Sequence, residues 1–248
     1  MGNATPRLDW DAIDLVVFDL DGTLYDQARL RLRMLAELGI HTCRTFSVGT
    51  ALTLRRFRRL REELSRTSAK ADFTELQYVR TASARAVDPA DVRAIVKDWI
   101  EERPLAFLRN YRFDGVAELF EACRRAGKGP AVWSDYPATA KLDALGLSAP
   151  IVLHSGEEGV QRLKPDPAGL QRICAIAGAS PARILMIGDR AEHDGEAARA
   201  AGAQALIRAK GRHPDYATFA SYRDPRFEPL LRQVPAGRRS TAVGGVAS

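Results

Sequence analysis

The chain has 248 residues, of which 46% are hydrophobic and 27% are charged, an ordinary balance for a globular protein. At roughly 150 residues per domain, this length fits one large domain or two small ones. No segment approaches the roughly 18 consecutive apolar residues of a membrane span, and the first residues lack the apolar run of a secretory signal. The three cysteines are scattered without CxxC spacing, which excludes a disulfide framework and a structural zinc site. We therefore expect a cytoplasmic protein with no membrane partner.

The net charge is +6, and much of the excess lies in residues 55–61. Hydrophobic residues recur around this stretch at steps of three and four, which predicts an amphipathic helix with the arginines on its solvent side. The recurring residues are Leu54, Phe57, Leu60 and Leu64. No nucleic-acid-binding motif accompanies the arginines, so we expect no nucleic-acid partner. Arg55 and Arg59 are instead candidates for attracting an acidic substrate.

The first predicted element is a buried strand. Residues 13–20 form a short, apolar, β-branched run, and Gly22 lets the chain turn after it. The pattern then becomes helical up to Pro104. The helices predicted there span residues 27–40, 48–66, 72–86 and 89–102, the last with Pro89 in its first turn.

After Pro104, predicted helices and strands alternate, which is typical of βαβ units and a parallel sheet. The helices span 113–126, 137–145, 167–177 and 194–201, and the strands span 130–133, 150–154, 183–188 and 204–207. The strand at 13–20 finds partners only beyond residue 128, so the helical block is predicted to be an insertion into an α/β domain. Periodicity decays beyond Gly211, and we expect the last residues, 236–248, to be disordered.

Polar residues follow several of these strands. Because ligands of parallel sheets bind outside the carboxyl ends of the strands, we expect these residues to lie together. They are Asp19, Asp21 and Thr23 after the first strand, Ser134 and Asp135 after the strand at 130–133, Lys164 before the helix at 167–177, and Asp189 and Asp194 after the strand at 183–188.

This residue set is typical of phosphoryl chemistry. Several carboxylates at one edge require a compensating cation, and oxygen ligands with open positions suit Mg²⁺, which also binds substrate phosphate. A lysine and a hydroxyl supply charge and a hydrogen bond to a phosphoryl group. An ionised carboxylate can attack phosphorus, and a carboxyl two residues along an extended chain lies on the same side to serve as acid and base. No Walker A sequence is present, which excludes a P-loop NTPase.

The sequence DLDGTL at residues 19–24 resembles the first motif of the haloacid dehalogenase (HAD) superfamily. Ser134, Lys164 with Pro165, and Gly188–Asp189 with Asp194 are similar to its later motifs and occur in the same order. The resemblance covers residues 13–24 and 113–207. It implies an α/β fold with a Rossmann-like parallel sheet core and an inserted all-helical cap domain. The core would comprise residues 1–24 and 105–212, the cap 25–104, and a partly disordered C-terminal extension 213–248.

The resemblance also implies roles for the matching residues. Asp19 would be the nucleophile that forms an aspartyl-phosphate, and Asp21 the general acid and base. Ser134 and Lys164 would bind the substrate phosphate. Mg²⁺ would be held by the Asp19 carboxylate, the Asp21 backbone carbonyl and Asp189, with Asp194 either a further ligand or a partner that supports the ligands.

Two of the assigned residues also allow a simpler interpretation, and the sequence departs from the family pattern at two places. Ser134 and Asp194 each also fit the role of capping the helix that follows. Asp135 stands where members of the family usually carry Asn. Four residues separate Gly159 from Lys164, which stretches the family's GxxKP spacing.

The sequence therefore predicts a Mg²⁺-dependent phosphatase that hydrolyses a small, anionic phosphomonoester. A phosphotransferase or phosphomutase acting on a sugar phosphate uses the same residues, and a non-catalytic binding protein of the same fold is the third alternative. A dehalogenase fits less well, because Asp21 offers an acid that a leaving alkoxide needs and a leaving halide does not. The sequence gives no indication of the oligomeric state.

Overall fold

A parallel β-sheet forms the centre of the protein, in a computed structural model that describes residues 8–66 and 73–232. The strands are β1 (Leu15–Phe18), β2 (Pro130–Ser134), β3 (Ile151–His154), β4 (Ile184–Gly188), β5 (Gln204–Arg208) and β6 (Ala217–Phe219). Their order is β3-β2-β1-β4-β5-β6, and every neighbouring pair is parallel. The predicted parallel sheet is confirmed, and β1 lies inside it between β2 and β4.

Helices connect the strands and cover both faces of the sheet. They are α1 (Gln27–Thr45), α2 (Gly49–Arg66), α3 (Phe73–Arg85), α4 (Pro89–Val96), α5 (Leu105–Tyr111), α6 (Val116–Arg125), α7 (Thr139–Leu145), α8 (Ala168–Ala177), α9 (Glu196–Ala201) and α10 (Glu228–Leu231). Short 3₁₀ turns span Trp10–Ala12, Pro181–Arg183 and Pro225–Phe227, and π-type turns span Lys97–Glu102 and Ala191–Gly195. Within the described ranges, no helix combines the length and the apolar character that crossing a membrane requires.

Alternate residues of β1 pack on opposite faces of the sheet, as the two-residue period of a strand requires. Val16 and Phe18 belong to the larger hydrophobic cluster, in which the ring of Phe18 lies 4.5 Å from that of Phe120 on α6. Leu15 and Val17 belong to a second cluster that α8 and α9 complete. Burial on both faces explains why the sequence of β1 is a continuous apolar run.

The segment between β1 and α5 is largely helical in its described part. Asp26 begins α1 by accepting a hydrogen bond from the backbone N–H of Arg29, and Asp88 begins α4 in the same way with Ala90. Pro89 occupies the first turn of α4, as predicted. The predicted fold class, a parallel sheet core with inserted helices, is confirmed.

Two helical details differ from the sequence prediction. The helix predicted over 89–102 divides into α4 and the π-type turn Lys97–Glu102. The sequence pattern did not predict α5, which follows Pro104 directly. A proline at that position marks the end of one helix as readily as the start of the next, so the pattern hides the second helix.

Arg61 departs from the predicted solvent-facing arginines of α2. Only 8% of its surface is exposed. Its Nε donates to Oε1 of Gln77 at 3.1 Å, and its Nη1 donates to the backbone oxygen of Asp135 at 2.7 Å. The guanidinium also lies 3.9 Å from the centre of the Tyr136 ring. The prediction is wrong for this residue because α2 packs here against the segment between β2 and α7, where a guanidinium finds polar and aromatic partners.

The residues after 213 add a strand and a helix to the sheet domain, which the sequence pattern did not predict. Strand β6 pairs with β5, and Phe227 packs against the rings of Trp10 and Phe219. The Tyr222 hydroxyl donates to the backbone oxygen of Thr23 at 2.8 Å. The three residues of β6 are too few to form a recognisable apolar run. The predicted disorder concerns residues 236–248, which lie outside the described residues.

Substitution of Phe227 by alanine tests the contribution of this C-terminal segment to the core. Because Phe227 is fully buried, we expect the free energy of unfolding to fall by about 3–5 kcal/mol, measured by denaturant titration. Phe46, which is 97% exposed, provides the matched control, and Phe46→Ala should change it by about 0.5 kcal/mol or less. Equal effects of the two substitutions would contradict this account of the core.

Candidate active site

The candidate site lies at the carboxyl end of the sheet, where β1 is flanked by β2 and β4. Asp19 directly follows β1, Ser134 ends β2, and Asp189 directly follows β4. Parallel pairing of these strands brings the three residues to neighbouring positions at one edge. Lys164 reaches the same edge from the segment between β3 and α8.

Lys164 is the centre of the buried polar contacts. Its Nζ donates to Oδ1 of Asp19 at 2.7 Å, to Oδ1 of Asp194 at 2.8 Å and to the backbone oxygen of Trp133 at 2.9 Å. Burial alone would lower the pKa of this ammonium, but the two carboxylates outweigh it and raise that pKa. The stretched spacing from Gly159 therefore does not keep Lys164 from the other predicted site residues.

Asp194 binds the segment that follows β4. Its Oδ2 accepts hydrogen bonds from the backbone N–H groups of Asp189 at 3.2 Å and Arg190 at 3.1 Å. It lies within the π-type turn before α9, and its side chain does not cap that helix. The simpler capping interpretation is therefore wrong for Asp194.

The carboxylates of Asp19, Asp189 and Asp194 converge. One oxygen of each lies within 4.8 Å of the others. Burial, with repulsion from Asp194, raises the pKa of Asp189 to about 7. Burial also raises the pKa of Asp19 well above its ordinary value, although Lys164 opposes this.

The donor set fits a divalent cation. When all three are ionised, the carboxylates carry two more negative charges than the contacting ammonium of Lys164 offsets. Among the described residues, none donates a hydrogen bond to the Asp189 carboxylate. Carboxylate oxygens are the ligands that Mg²⁺ and similar hard cations prefer. The acidic cluster therefore suits a metal ion, and its donors do not distinguish Mg²⁺ from other hard divalent ions.

Gly22 allows the chain after β1 to pass against Asp189. Its φ is +94°, in the left-handed region, and a Cβ there would lie 2.1 Å from Oδ2 of Asp189. Any other residue would displace the carboxylate. This contact gives a structural reason for the glycine of the DLDG sequence.

Asp21 is held by two side chains that the sequence analysis did not identify. Lys141 on α7 donates through Nζ to both carboxylate oxygens, at 2.8 and 3.0 Å, and the Tyr25 hydroxyl donates to Oδ1. Burial would raise the pKa of Asp21, but Lys141 and Tyr25 outweigh it and hold that pKa below its ordinary value. Tyr25 directly follows the DLDGTL motif, but no sequence signal marks it as a partner of Asp21, and none separates Lys141 from an ordinary helix-surface lysine.

Ser134 and Asp135 have different surroundings. Ser134 is buried, and its Oγ accepts a hydrogen bond from the backbone N–H of Tyr136 at 3.3 Å. Helix α7 begins only at Thr139, so Ser134 does not cap it. Asp135 accepts a hydrogen bond from the Ser155 hydroxyl at 2.9 Å and lies 3.5 Å from Arg190. Its charge is therefore balanced outside the cluster of Asp19, Asp189 and Asp194.

A cavity of about 580 Å³ opens above the acidic residues, between the sheet edge and the helical block. Asp19, Asp21 and Asp189 line its floor. Apolar residues of the helical block form part of its wall: Leu30, Met34, Leu54, Trp99 and Ile100. Arginines also line it: Arg31, Arg58, Arg59, Arg61 and Arg190. Arg55, one of the two arginines considered from the sequence, is not among the lining residues.

Two arginines connect the helical block to the sheet edge beside this cavity. Arg61 bonds to the backbone of Asp135, as described above. Arg190, which follows β4, lies 3.3 Å from Glu62 on α2 and also faces Asp135. These contacts hold α2 over the ends of β2 and β4.

Comparison with known proteins identifies the family of this chain. The family model of haloacid dehalogenase-like hydrolases matches residues 13–202, and the chain belongs to this family. The predicted superfamily membership is thereby confirmed.

Named relatives and solved structures give further context. A phosphoglycolate phosphatase of Mesorhizobium japonicum is 29% identical over 192 residues, which covers 76% of this chain and 79% of the relative. A 2-haloacid dehalogenase from Pseudomonas syringae has a TM-score of 0.58 at 18% identity, covering 88% of this chain and 97% of its own. A HAD phosphatase from Thermococcus onnurineus has a TM-score of 0.57 at 16% identity, covering 88% of this chain and 98% of its own. The two structures share the fold with this chain.

Substitution of Gly22 by alanine tests the packing of the acidic cluster. Because the new Cβ would displace Asp189, we expect the affinity for Mg²⁺, measured by calorimetry, to fall by about 10- to 100-fold. Gly202 offers a matched control, since its φ is +79° and a Cβ there would meet nothing within 4 Å. Gly202→Ala should leave the affinity unchanged, and equal affinities for all three proteins would contradict this account of the cluster.

Proposed function

We propose that this protein is a Mg²⁺-dependent phosphatase that hydrolyses a small, anionic phosphomonoester through an aspartyl-phosphate on Asp19. The observation that carries the proposal is the convergence of the carboxylates of Asp19, Asp189 and Asp194, two of which bond to Lys164, with Asp21 held separately by Lys141. Residues 25–104 act in this proposal as a cap over a core formed by residues 1–24 and 105–212. The phosphoglycolate phosphatase names of curated relatives support a small phosphorylated substrate.

The metal ligands in this proposal are the carboxylates of Asp19, Asp189 and Asp194 and the backbone carbonyl of Asp21. When bound, Mg²⁺ supplies positive charge that offsets the negative charge of the substrate phosphate and of the carboxylates. The two uncompensated negative charges of the cluster support a divalent ion in this position.

The first step transfers the phosphoryl group to the protein. A carboxylate oxygen of Asp19 forms a bond to phosphorus while the bond from phosphorus to the ester oxygen breaks. Lys164 and the hydroxyl of Ser134 neutralise and orient the phosphoryl oxygens. Asp21 gives a proton to the departing oxygen, which leaves as an alcohol. The negative charge of the arriving phosphate favours the protonated form of Asp21 that this step requires.

The second step returns Asp19 to its starting state. Asp21, now ionised, takes a proton from a water molecule, and the water oxygen attacks phosphorus. The bond from phosphorus to the Asp19 oxygen breaks, and inorganic phosphate leaves. The lowered pKa of Asp21 suits this step, because the Lys141 ammonium and the Tyr25 hydroxyl favour its ionised form.

Asp21 also supports ester hydrolysis over dehalogenation. A leaving alkoxide is strongly basic and needs a proton, whereas a leaving halide does not. Two side chains, Lys141 and Tyr25, position the Asp21 carboxylate, and ester hydrolysis uses this carboxylate whereas dehalogenation does not.

Substitution of Asp19 by asparagine tests the nucleophile. We expect Asp19→Asn to reduce phosphate release from an aryl phosphate by at least about 1000-fold, because the amide cannot attack phosphorus. Asp14→Asn, at the opposite end of β1, is the matched control and should retain full activity. Wild-type activity in Asp19→Asn would disprove the proposed mechanism.

Trapping of the intermediate distinguishes the two carboxylates. An aryl phosphate has a good leaving group, so Asp21→Asn should still form the aspartyl-phosphate but hydrolyse it slowly. Acid quenching after incubation with substrate labelled at phosphorus should therefore leave label on Asp21→Asn and none on Asp19→Asn. Label on both variants would place the nucleophile elsewhere.

Substitution of Lys141 by methionine tests the positioning of Asp21. We expect kcat/KM, which reports transfer of the phosphoryl group to Asp19, to fall by up to about 100-fold for an alkyl phosphate and by less for an aryl phosphate, because in that step only the poor leaving group depends on the acid. Lys97→Met, at an exposed lysine of the helical block, is the control and should behave as the wild type. An equal loss for both ester types would indicate that Lys141 has a structural role only.

A further inference from the structure

Two arginines of the cavity have no hydrogen-bonding or ionic partner among the residues that the structure describes. Arg31 on α1 and Arg58 on α2 both line the cavity. Within the described part of the chain, neither forms a hydrogen bond or an ion pair. The other lining arginines are engaged: Arg59 with Glu63, Arg61 with Gln77 and Asp135, and Arg190 with Glu62 and Asp135.

The electrostatic surroundings of this pair favour a bound anion. Burial, together with the positive charge of Arg31, lowers the pKa of Arg58. Asp21 interacts electrostatically with both arginines, but its carboxylate already accepts hydrogen bonds from Lys141 and Tyr25. Two like charges that face one cavity without a counterion gain stability when an anion joins them.

We infer that Arg31 and Arg58 form a subsite for a second anionic group of the substrate, while the phosphoryl group to be cleaved lies at Asp19. This inference rests on the proposed phosphatase function. The second group is an oxyanion, either a carboxylate or a further phosphate, because guanidinium groups present paired N–H donors that match such oxygens. The apolar wall of Leu30 and Met34, on the same helix as Arg31, contacts the carbon skeleton between the two anionic ends.

Matched substrate pairs test this subsite. 4-Carboxyphenyl phosphate and 4-carbamoylphenyl phosphate have nearly the same shape, and only the first carries a second charge away from the scissile bond. Phosphoglycolate and 2-hydroxyethyl phosphate form a smaller pair of the same design. We expect the wild type to favour the charged member of at least one pair by about 10- to 100-fold in kcat/KM, the effect of one hydrogen bond between charged groups.

Variants then assign the preference to residues. Arg58→Gln and Arg31→Gln should each lower the preference about tenfold or more, mainly by reducing kcat/KM for the charged ester. Arg80→Gln, at an exposed arginine of α3, should retain it. A third ester carries a second phosphate in place of the carboxylate. The oxyanion that the subsite prefers is the one whose ester loses more affinity in the two arginine variants. The subsite is disproved if the wild type has no preference in either pair, or if both variants keep it.

Binding to the Asp19→Asn variant separates this inference from the proposed function. Calorimetry with the two aryl esters reports the charge preference whether or not the protein turns them over. If Asp19→Asn binds the carboxylate ester more tightly, and adding Arg58→Gln abolishes this preference, the subsite is supported. This holds even if the wild-type protein releases no phosphate, a result that would disprove only the proposed phosphatase function. Equal affinities for the two aryl esters, together with equal affinities for phosphoglycolate and 2-hydroxyethyl phosphate, disprove the subsite while leaving any observed hydrolysis unaffected.

Discussion

The buried ammonium of Lys164 is the contact on which the site depends. It joins Asp19 after β1, the backbone of Trp133 in β2 and Asp194 after β4, so three neighbouring segments of the sheet edge share one cation. Without it, the buried carboxylates of Asp19 and Asp194 and the partly buried one of Asp189 would lie together with no ammonium in contact, which is energetically unfavourable. With it, the cluster keeps two negative charges in excess. That excess of negative charge suits a divalent cation.

This arrangement can be predicted from the sequence because it depends on short local patterns and on a general property of parallel sheets. The apolar runs of β1 and β4 each end at an acidic residue, and a parallel sheet necessarily brings such ends together. The roles of Lys141 and Tyr25 depend instead on which side of α7 and of the chain after β1 faces Asp21, and that orientation is set by tertiary packing. Arg61 did leave a signal. It follows Phe57 by four positions and precedes Leu64 by three, so helical spacing puts it on the buried face of α2.

Strand β6, helix α5 and the position of the helical block could not be predicted from the sequence pattern, for physical reasons. Strand β6 has three residues and gains its stability from pairing with β5 and from the aromatic packing around Phe227, neither of which leaves a periodic pattern. Helix α5 is hidden by Pro104. The position of the helical block over the sheet edge depends on the long-range contacts of Arg61 and Arg190. Propensity and spacing describe elements, whereas these contacts join residues distant in the chain.

The contact between Tyr222 and Thr23 has a consequence for the newly made chain. It joins residues 199 positions apart, and the Thr23 hydroxyl in turn donates to Oδ2 of Asp19 at 2.9 Å. A ribosome therefore releases the first motif long before the tyrosine that supports it exists. Asp19 and Thr23 are synthesised early, but the support behind the first motif is completed only when the segment around Tyr222 has emerged. The hydrogen bonding behind the first motif is thus completed near the end of translation.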